Sequence, residues 1–228
     1  MPYGIVWNDL HQLGTAILVI VGAILPIVNP PGDAPLFLRL TRGCDAATRS
    51  KLARHVAIYS FALILGSLVL GAFILRLFDL QVAVIEVAGG AVVCALGWNL
   101  LNDESKPAEE IPDPNQASLV AFARAFYPLT MPLTVDPGVM SVAVTIGANH
   151  SHVLDRLAIQ LAAAVIGTSI VTLCILLTYH YAERFGAWIG HTGMNIVVRL
   201  SAFIVLSIGV QIAWNGVKTL LKGVGISA

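Results

Sequence analysis

The sequence predicts an all-α membrane protein in which six transmembrane helices form two inverted three-helix repeats. Hydrophobic residues occupy 57% of the 228 positions and charged residues 11%, whereas a soluble domain carries about 25% charged residues. Six apolar stretches are each long enough to cross a bilayer, which takes about 20 residues. The first and fourth stretches contain similar proline-glycine interruptions. We therefore expect helices 1 and 4 to be broken.

The apolar stretches lie near residues 13–40, 54–77, 82–101, 119–148, 157–182 and 196–217. The second, third, fifth and sixth have the length of ordinary spans. We expect a first three-span repeat at 1–101, an acidic cytoplasmic linker at 102–118 and a second three-span repeat at 119–228. All three parts belong to one integral membrane domain.

The two interrupted stretches match each other at an offset of about 106 positions. "LPIVNPPGDAPL" starts at Leu25 and "MPLTVDPGVMSV" at Met131, so that Pro26, Pro31 and Gly32 align with Pro132, Pro137 and Gly138. Each half then holds three spans. Because three is odd, the second half enters the membrane from the opposite side, which gives inverted repeats about an axis in the membrane plane.

Basic residues predict the orientation, since positively charged loops near span ends stay in the cytoplasm. One side carries eight of them and the other side four. The eight are Arg39, Arg42, Arg49, Lys51, Arg54, Lys106, Arg124 and Arg184; the four are Arg76, Arg156, Lys218 and Lys222. Both termini are therefore predicted on the outer side of the inner membrane.

The paired interruptions predict a binding site. Non-helical backbone at membrane depth is tolerated only inside protein or beside a watery cavity. Asn29 and Asp136 each precede a proline, which is typical of a helix start. Two helix N-termini near the midplane would favour an anion such as a carboxylate. The predicted substrate-binding residues are Asn29, Pro31, Gly32, Asp33, Asp136, Pro137 and Gly138.

Ionisable residues at membrane depth require a reason, because each costs at least about 2.5 kcal/mol there. Asp136 is either a group that accepts a substrate ammonium or a coupling proton, or only an N-cap. Asp33 has the same two interpretations, with a structural role favoured. Glu86 and Arg199 occupy corresponding positions in the third and sixth spans, so we predict an ion pair between them, although either could reach the interface instead.

Three segments resemble a known family: "VNPPGDAPLFLRLT", "EVAGGAVVCALGWNLL" and "YPLTMPLTVDPGVMSVAVTIGAN" are similar to the MarC family of integral membrane proteins. The resemblance implies a six-span inner-membrane protein of two repeats, and transport of small neutral amino acids as in some members. Asn29, Pro30, Gly32, Pro35 and Phe37 reproduce the first motif of the family. Asp136 stands where the second motif has a glycine.

Three function classes follow. The leading one is a secondary transporter or exporter of small neutral amino acids or similar small solutes, with proton coupling left open. The alternatives are a passive channel or pore and, remotely, an intramembrane aspartyl protease using Asp33 and Asp136. Replacing Asp136 with asparagine should weaken coupled transport, abolish proteolysis and leave a pore unchanged. We predict no enzyme activity, catalytic residue, cofactor or metal. The expected partners are the bilayer and a small solute, with a homo-oligomer left open and no nucleic acid, because the net charge is zero.

Overall fold

The computed structural model describes residues 3–41, 43–102, 123–148 and 154–223, and throughout these ranges the chain is helical apart from short connections. We number eight helices in chain order. They are α1 (Tyr3–Val28), α2 (Pro30–Leu40), α3 (Ala46–Leu77), α4 (Val82–Asn102), α5 (Ala125–Thr134), α6 (Pro137–Ala148), α7 (Leu154–His180) and α8 (Ala182–Gly223). Most of the predicted linker at 102–118 lies outside the described residues.

The chain is an all-α membrane protein with five or six membrane-spanning helices. Five helices are long and apolar enough to cross a bilayer, and the bent pair α5–α6 makes a sixth if it counts as one span. The candidate spans are Asp9–Val28, Ala46–Gly71, Val82–Asn102, Leu157–His180 and Ile196–Gly223. The helix α1 thus supplies a full span before α2 begins.

The connection between α1 and α2 is the single residue Asn29. Its φ of 42° lies in the left-handed region, which asparagine tolerates better than most residues because its short polar side chain crowds the backbone little. Pro30 and Pro31 follow at the first helical positions of α2, where a missing N–H costs nothing. The backbone at Asn29 therefore turns one helix into the next without a loop.

The helix α5 is irregular and ends in a sharp bend. Its hydrogen bonds span five residues, as from the Val135 N–H to the Thr130 carbonyl at 2.8 Å, which is the pattern of a π-helix. Tyr127 and Met131, each followed by a proline, have extended backbone angles, as expected for residues before proline. Beyond Val135 and Asp136 the chain bends by 69° into α6.

The helices α4 and α8 pack closely side by side and run antiparallel. Gly90 of α4 faces Gly209 and Ala213, Gly97 faces Leu206, and Gly216 of α8 faces the carbonyl of Ala83. Small residues at such a contact let two backbones approach closely, which is how helices associate in lipid. We call this pair the α4–α8 wall; α3 packs against α6 and α7.

Charged side chains tie several helix ends together at one end of the bundle. Arg49 of α3 donates to the hydroxyl and carbonyl oxygens of Thr41 at 3.1 and 3.3 Å and to the Cys44 carbonyl at 3.0 Å. It also pairs with Glu183 at the start of α8. Arg39 of α2 donates to the Leu100 carbonyl near the end of α4 at 2.7 Å. We call the contacts of Arg49 with Thr41, Cys44 and Glu183 the Arg49 network.

The start of α3 at this end is capped by Asp45. The Thr48 N–H donates to the Asp45 carboxylate at 3.2 Å, a typical N-cap bond. Hydrogen bonding from Thr48 lowers the pKa of this exposed carboxyl. Asp45 therefore stays charged next to the positive end of the α3 dipole.

Candidate functional site

The N-termini of α2 and α6 both open onto one internal cavity. It holds about 30 Å³ for the centres of water-sized molecules, which is room for one or two waters. Its lining residues come from the ends of α1 and α5, the starts of α2 and α6, and the facing sides of α4 and α8. They are Ile27, Asn29, Gly32, Asp33, Val93, Pro132, Leu133, Asp136, Ser201, Ile204, Val205 and Ile208.

The α2 side of the cavity is formed by Asn29, Gly32 and Asp33. Asn29 occupies the N-cap position, but its side chain makes no capping hydrogen bond. The Gly32 and Asp33 N–H groups instead reach the Asn29 carbonyl, at 2.9 and 3.3 Å. The Asp33 side chain lies in the first turn of α2 and is 7% exposed. An acidic group here is stabilised by the positive end of the helix dipole.

The α6 side is formed by Asp136, which caps the helix. The Val139 N–H donates to the Asp136 carboxylate at 2.7 Å in a buried hydrogen bond, and the Met140 N–H bonds the Asp136 carbonyl at 3.1 Å. The carboxylate thus satisfies a first-turn donor that would otherwise be free. Asp136 is therefore the N-cap of α6, and it also lines the cavity.

Tyr179 of α7 contacts both α2 and α5, two of the helices that line the cavity. Its ring stacks on Phe37 of α2 with 4.4 Å between centroids, and its hydroxyl lies 2.8 Å from the Thr134 hydroxyl at the end of α5. The Thr134 hydroxyl donates to the Leu129 carbonyl at 2.7 Å. Its oxygen is therefore the acceptor in the bond with Tyr179, and the Tyr179 hydroxyl is the donor. One buried side chain therefore joins the ends of the two elements that lead into the cavity.

Replacing Tyr179 with phenylalanine tests this support. The Phe37 stack should survive, and the lost hydrogen bond should lower the free energy of unfolding by about 1 kcal/mol. Thermal or denaturant unfolding of the purified protein measures the change. Phenylalanine in place of Tyr59, whose ring lies near Phe126, is a control that also removes one hydroxyl; equal losses in both variants would contradict the bond to Thr134.

The structure brings together four of the seven predicted substrate-binding residues. Asn29, Gly32, Asp33 and Asp136 share the cavity, although they come from different halves of the chain. The other three lie elsewhere. Pro31 is exposed, Pro137 packs against Gly89 of α4, and Gly138 faces Ile212 of α8. The binding role of all seven stays a prediction.

Comparison with known proteins identifies the relatives of the chain. Residues 14–221 match the model of the MarC family integral membrane proteins. The chain belongs to the MarC family. A membrane protein of Bacillus subtilis (strain 168) named YvbG is 31% identical over 197 residues, which is 86% of this chain and 91% of the relative.

The inner membrane protein MarC of Salmonella typhimurium is 25% identical over 213 residues, covering 87% of this chain and 92% of the relative. The MarC of Citrobacter koseri is 25% identical over 209 residues, with the same coverage. No solved structure matches the chain. These relatives place the MarC-family chain among multi-pass membrane proteins.

The structure of this MarC-family chain does not bring Glu86 and Arg199 together. The Cβ of Glu86 lies beside Gly216 of α8, seventeen residues beyond Arg199, or about 25 Å along the helix axis. Because α4 and α8 are antiparallel, corresponding positions meet only where the helices cross, near Cys94 and Leu206. Glu86 and Arg199 lie on opposite sides of that crossing, and Arg199 is exposed. The two side chains are therefore too far apart to form the predicted ion pair.

Sequence reasoning missed the α8 side of the site. Ser201, Val205 and Ile208 recur at helical spacing and present one face of α8 to the cavity. Ser201 is 7% exposed. A serine on an otherwise apolar face is the signal that could have found it. Tyr179 gave no such signal, because it lies at the end of a span among other aromatic and histidine residues.

Proposed function

We propose that this MarC-family chain is a secondary transporter or exporter of small neutral solutes, with small neutral amino acids as the first candidate cargo. The observation that carries the proposal is that the starts of α2 and α6, from opposite halves of the chain, line one cavity that contains the carboxyl groups of Asp33 and Asp136. Broken helices at a shared site are typical of secondary transporters. The transport of amino acids by some relatives, implied by the resemblance in sequence, points the same way.

The small size of the cavity supports movement of the walls during transport. Room for one or two waters is too little for an amino acid, so a solute enters only if the elements around it separate. The α4–α8 wall is tightly packed, whereas α2 and α6 are short helices joined through bends. We therefore assign the movement to α2 and α6 with their neighbours.

We propose that the chain consists of two inverted repeats. The packing pattern supports this, because most helix contacts exchange when each helix is replaced by its counterpart. The pair α1–α7 corresponds to α3–α5, α2–α8 to α4–α6, α2–α7 to α3–α6, and α1–α6 to α2–α5. The pairs α4–α8 and α3–α7 correspond to themselves. A two-fold axis in the membrane plane would relate the halves in this way.

The orientation with both termini outside is also part of the proposal. The end of the bundle that carries the Arg49 network also holds Lys51, Arg54 and Arg184, at the start of α3 and the start of α8. Positively charged ends stay in the cytoplasm. To test the orientation, a cysteine is introduced at either end of the helix bundle, and intact cells are treated with a membrane-impermeant thiol reagent.

Counterflow in proteoliposomes tests the transport function. Vesicles loaded with unlabelled glycine or alanine should accumulate the radiolabelled amino acid transiently, and saturably, when they contain the protein. Runs with and without a pH gradient measure proton coupling. Flux that never saturates and shows no counterflow would indicate a passive pore instead.

Valine in place of Gly138 should abolish transport while the protein still folds. A Cβ at this position would lie 2.7 Å from the Ile212 side chain and 3.0 Å from the Asp136 carboxylate, so the added methyl groups push on the α6 cap. We expect counterflow to fall at least about tenfold. Gly22→Val is the matched control, since nothing lies within 4 Å of a Cβ there; equal transport by both variants would contradict the assignment.

A further inference from the structure

The anion-binding capacity of both helix starts at the cavity is already used by the chain itself. The Asp136 carboxylate accepts the Val139 N–H at 2.7 Å at the start of α6. Asp33 places a second carboxylate in the first turn of α2. Two free helix N-termini would attract a carboxylate of the solute. At the start of α2, Pro30 and Pro31 have no N–H, and the Gly32 and Asp33 N–H groups already bond the Asn29 carbonyl, so a solute carboxylate finds few vacant donors at either helix start.

The Asp33 side chain is buried without a partner. It is 7% exposed, it lines the cavity, and within the described ranges no side chain or backbone group forms a hydrogen bond or ion pair with its carboxylate. A buried carboxylate that lacks a partner is costly. The Asp33 side chain borders the cavity, so a ligand bound there could supply the hydrogen bond or positive charge that the carboxylate lacks.

The cavity has about one negative charge when both carboxyl groups are ionised. Asp33 and Asp136 then contribute two negative charges, and two helix N-termini offset about half a charge each. Among the described residues that line the cavity, none carries a positive side chain. The net field therefore favours one positive charge.

We propose that the cavity recognises its solute through a primary ammonium group, with Asp33 and Asp136 as acceptors, and needs no carboxylate on the solute. Asn29 adds an amide group at the same wall, and the two carboxylates are acceptors that suit N–H donors. Ile27, Ile204 and Ile208 supply apolar surface for a short alkyl chain. The substrate class is thus small primary amines, and amino acids bind through their ammonium ends. The proposal rests on the proposed function only in taking this cavity as the solute site.

Equilibrium binding to the purified full-length protein in detergent tests the proposal without requiring transport. The probe is radiolabelled ethylamine at neutral pH. We expect saturable binding that unlabelled ethylamine displaces and that acetate at the same concentration does not displace. Sodium and potassium at equal concentration should not displace it either, and displacement by them would overturn the ammonium assignment in favour of an inorganic cation.

Three isosteric variants complete the test. Asp33→Asn and Asp136→Asn should each weaken ethylamine binding about tenfold or more, while asparagine still caps a helix start as well as aspartate does. Asp79→Asn, at an exposed carboxylate after α3, should bind like the unmodified chain. Elution as a folded species from size exclusion confirms that a variant is intact.

Two results would overturn the ammonium assignment: acetate bound in preference to ethylamine, or equal binding by all three variants. Failure of the transport proposal looks different. Ethylamine binding that depends on both carboxylates, in a protein that shows no counterflow, would refute the transporter and leave the ammonium site standing. Counterflow of amino acids, together with ethylamine binding that does not depend on Asp33 or Asp136, would support the transporter and refute the ammonium site.

Discussion

Valine in place of Gly97 is expected to prevent stable folding of the protein. A Cβ at Gly97 would lie 2.6 Å from the backbone nitrogen of Leu206 and 2.8 Å from its Cα. These are backbone atoms of a long helix, so the clash is relieved only by separating α4 from α8. We expect a loss of about 3 kcal/mol or more in the free energy of unfolding, at the upper end for overpacking. Thermal unfolding in detergent and the yield of monodisperse protein measure it.

The same argument applies from the other helix. A Cβ at Gly209 would lie 2.6 Å from the backbone nitrogen of Cys94, so Gly209→Val should cost as much as Gly97→Val. Gly22→Val is the control for valine inside an apolar helix, because a Cβ there meets nothing within 4 Å. Normal yield and unfolding temperature for Gly97→Val would show that the α4–α8 contact is looser than described.

The membrane class and the helix content were predictable from the sequence because they depend on composition and length alone. Long apolar stretches have to satisfy their backbone groups internally, so they form helices. Proline chemistry also located helix starts, since Pro30 and Pro137 stand at the first positions of α2 and α6. Those starts predicted that Asn29 and Asp136 face one site, and both residues line the cavity.

Contacts that depend on the register of packed helices were not predictable. The sequence places Glu86 and Arg199 at equivalent positions of α4 and α8. In an antiparallel pair, equivalent positions are close together only near the point where the two helices cross, and the sequence does not show where that point lies. Neither did it predict that the Asp136 carboxylate bonds Val139 at 2.7 Å, because a cap and a ligand-binding group look alike in sequence. The expectation of an anion site rested on free first-turn N–H groups, and at α6 the Val139 N–H is bonded to Asp136.

The π-type hydrogen bonding of α5 also lay beyond sequence reasoning. Pro128 and Pro132 predict an interrupted helix, but several backbone paths accommodate two prolines four residues apart. The hydroxyls of Thr130 and Thr134 each donate to a carbonyl five residues earlier, at 2.7 Å. Together with Tyr179 these side chains stabilise one of those paths. The contact with Tyr179 is tertiary, so the local pattern of α5 does not contain it.

Alanine in place of Arg49 is expected to destabilise the charged end of the bundle by about 2–3 kcal/mol. Arg49 is the donor to two carbonyls and to the hydroxyl of Thr41, and Thr41 is 1% exposed. Removing the guanidinium deletes three part-buried hydrogen bonds, each worth about 1 kcal/mol, although the Thr41 carbonyl keeps its bond from the Cys44 N–H. Denaturant unfolding of the purified protein measures the loss.

Glu183→Gln separates the hydrogen bonds of the Arg49 network from its ion pair. The side chain of Glu183 is 46% exposed, whereas that of Arg49 is 12% exposed, so solvent screens the pair and its loss should cost less than about 1 kcal/mol. Arg49→Lys should fall between the two, because an ammonium cannot reproduce the planar set of donors. If Glu183→Gln were as harmful as Arg49→Ala, the ion pair would be the main contribution and the bonds to Thr41 and Cys44 minor.

The Arg49 network also bears on the cavity, since Thr41 directly follows α2, which begins after Asn29 and carries Asp33. Loss of Arg49 removes the hydrogen bonds between the far end of α2 and α3, while Arg39 still bonds the Leu100 carbonyl and the near end keeps its backbone bonds to Asn29. We therefore expect Arg49→Ala to weaken ethylamine binding as well as stability, and Glu183→Gln to change neither by much. Full binding by a destabilised Arg49→Ala protein would show that Asn29 and its neighbours position α2 without help from its other end.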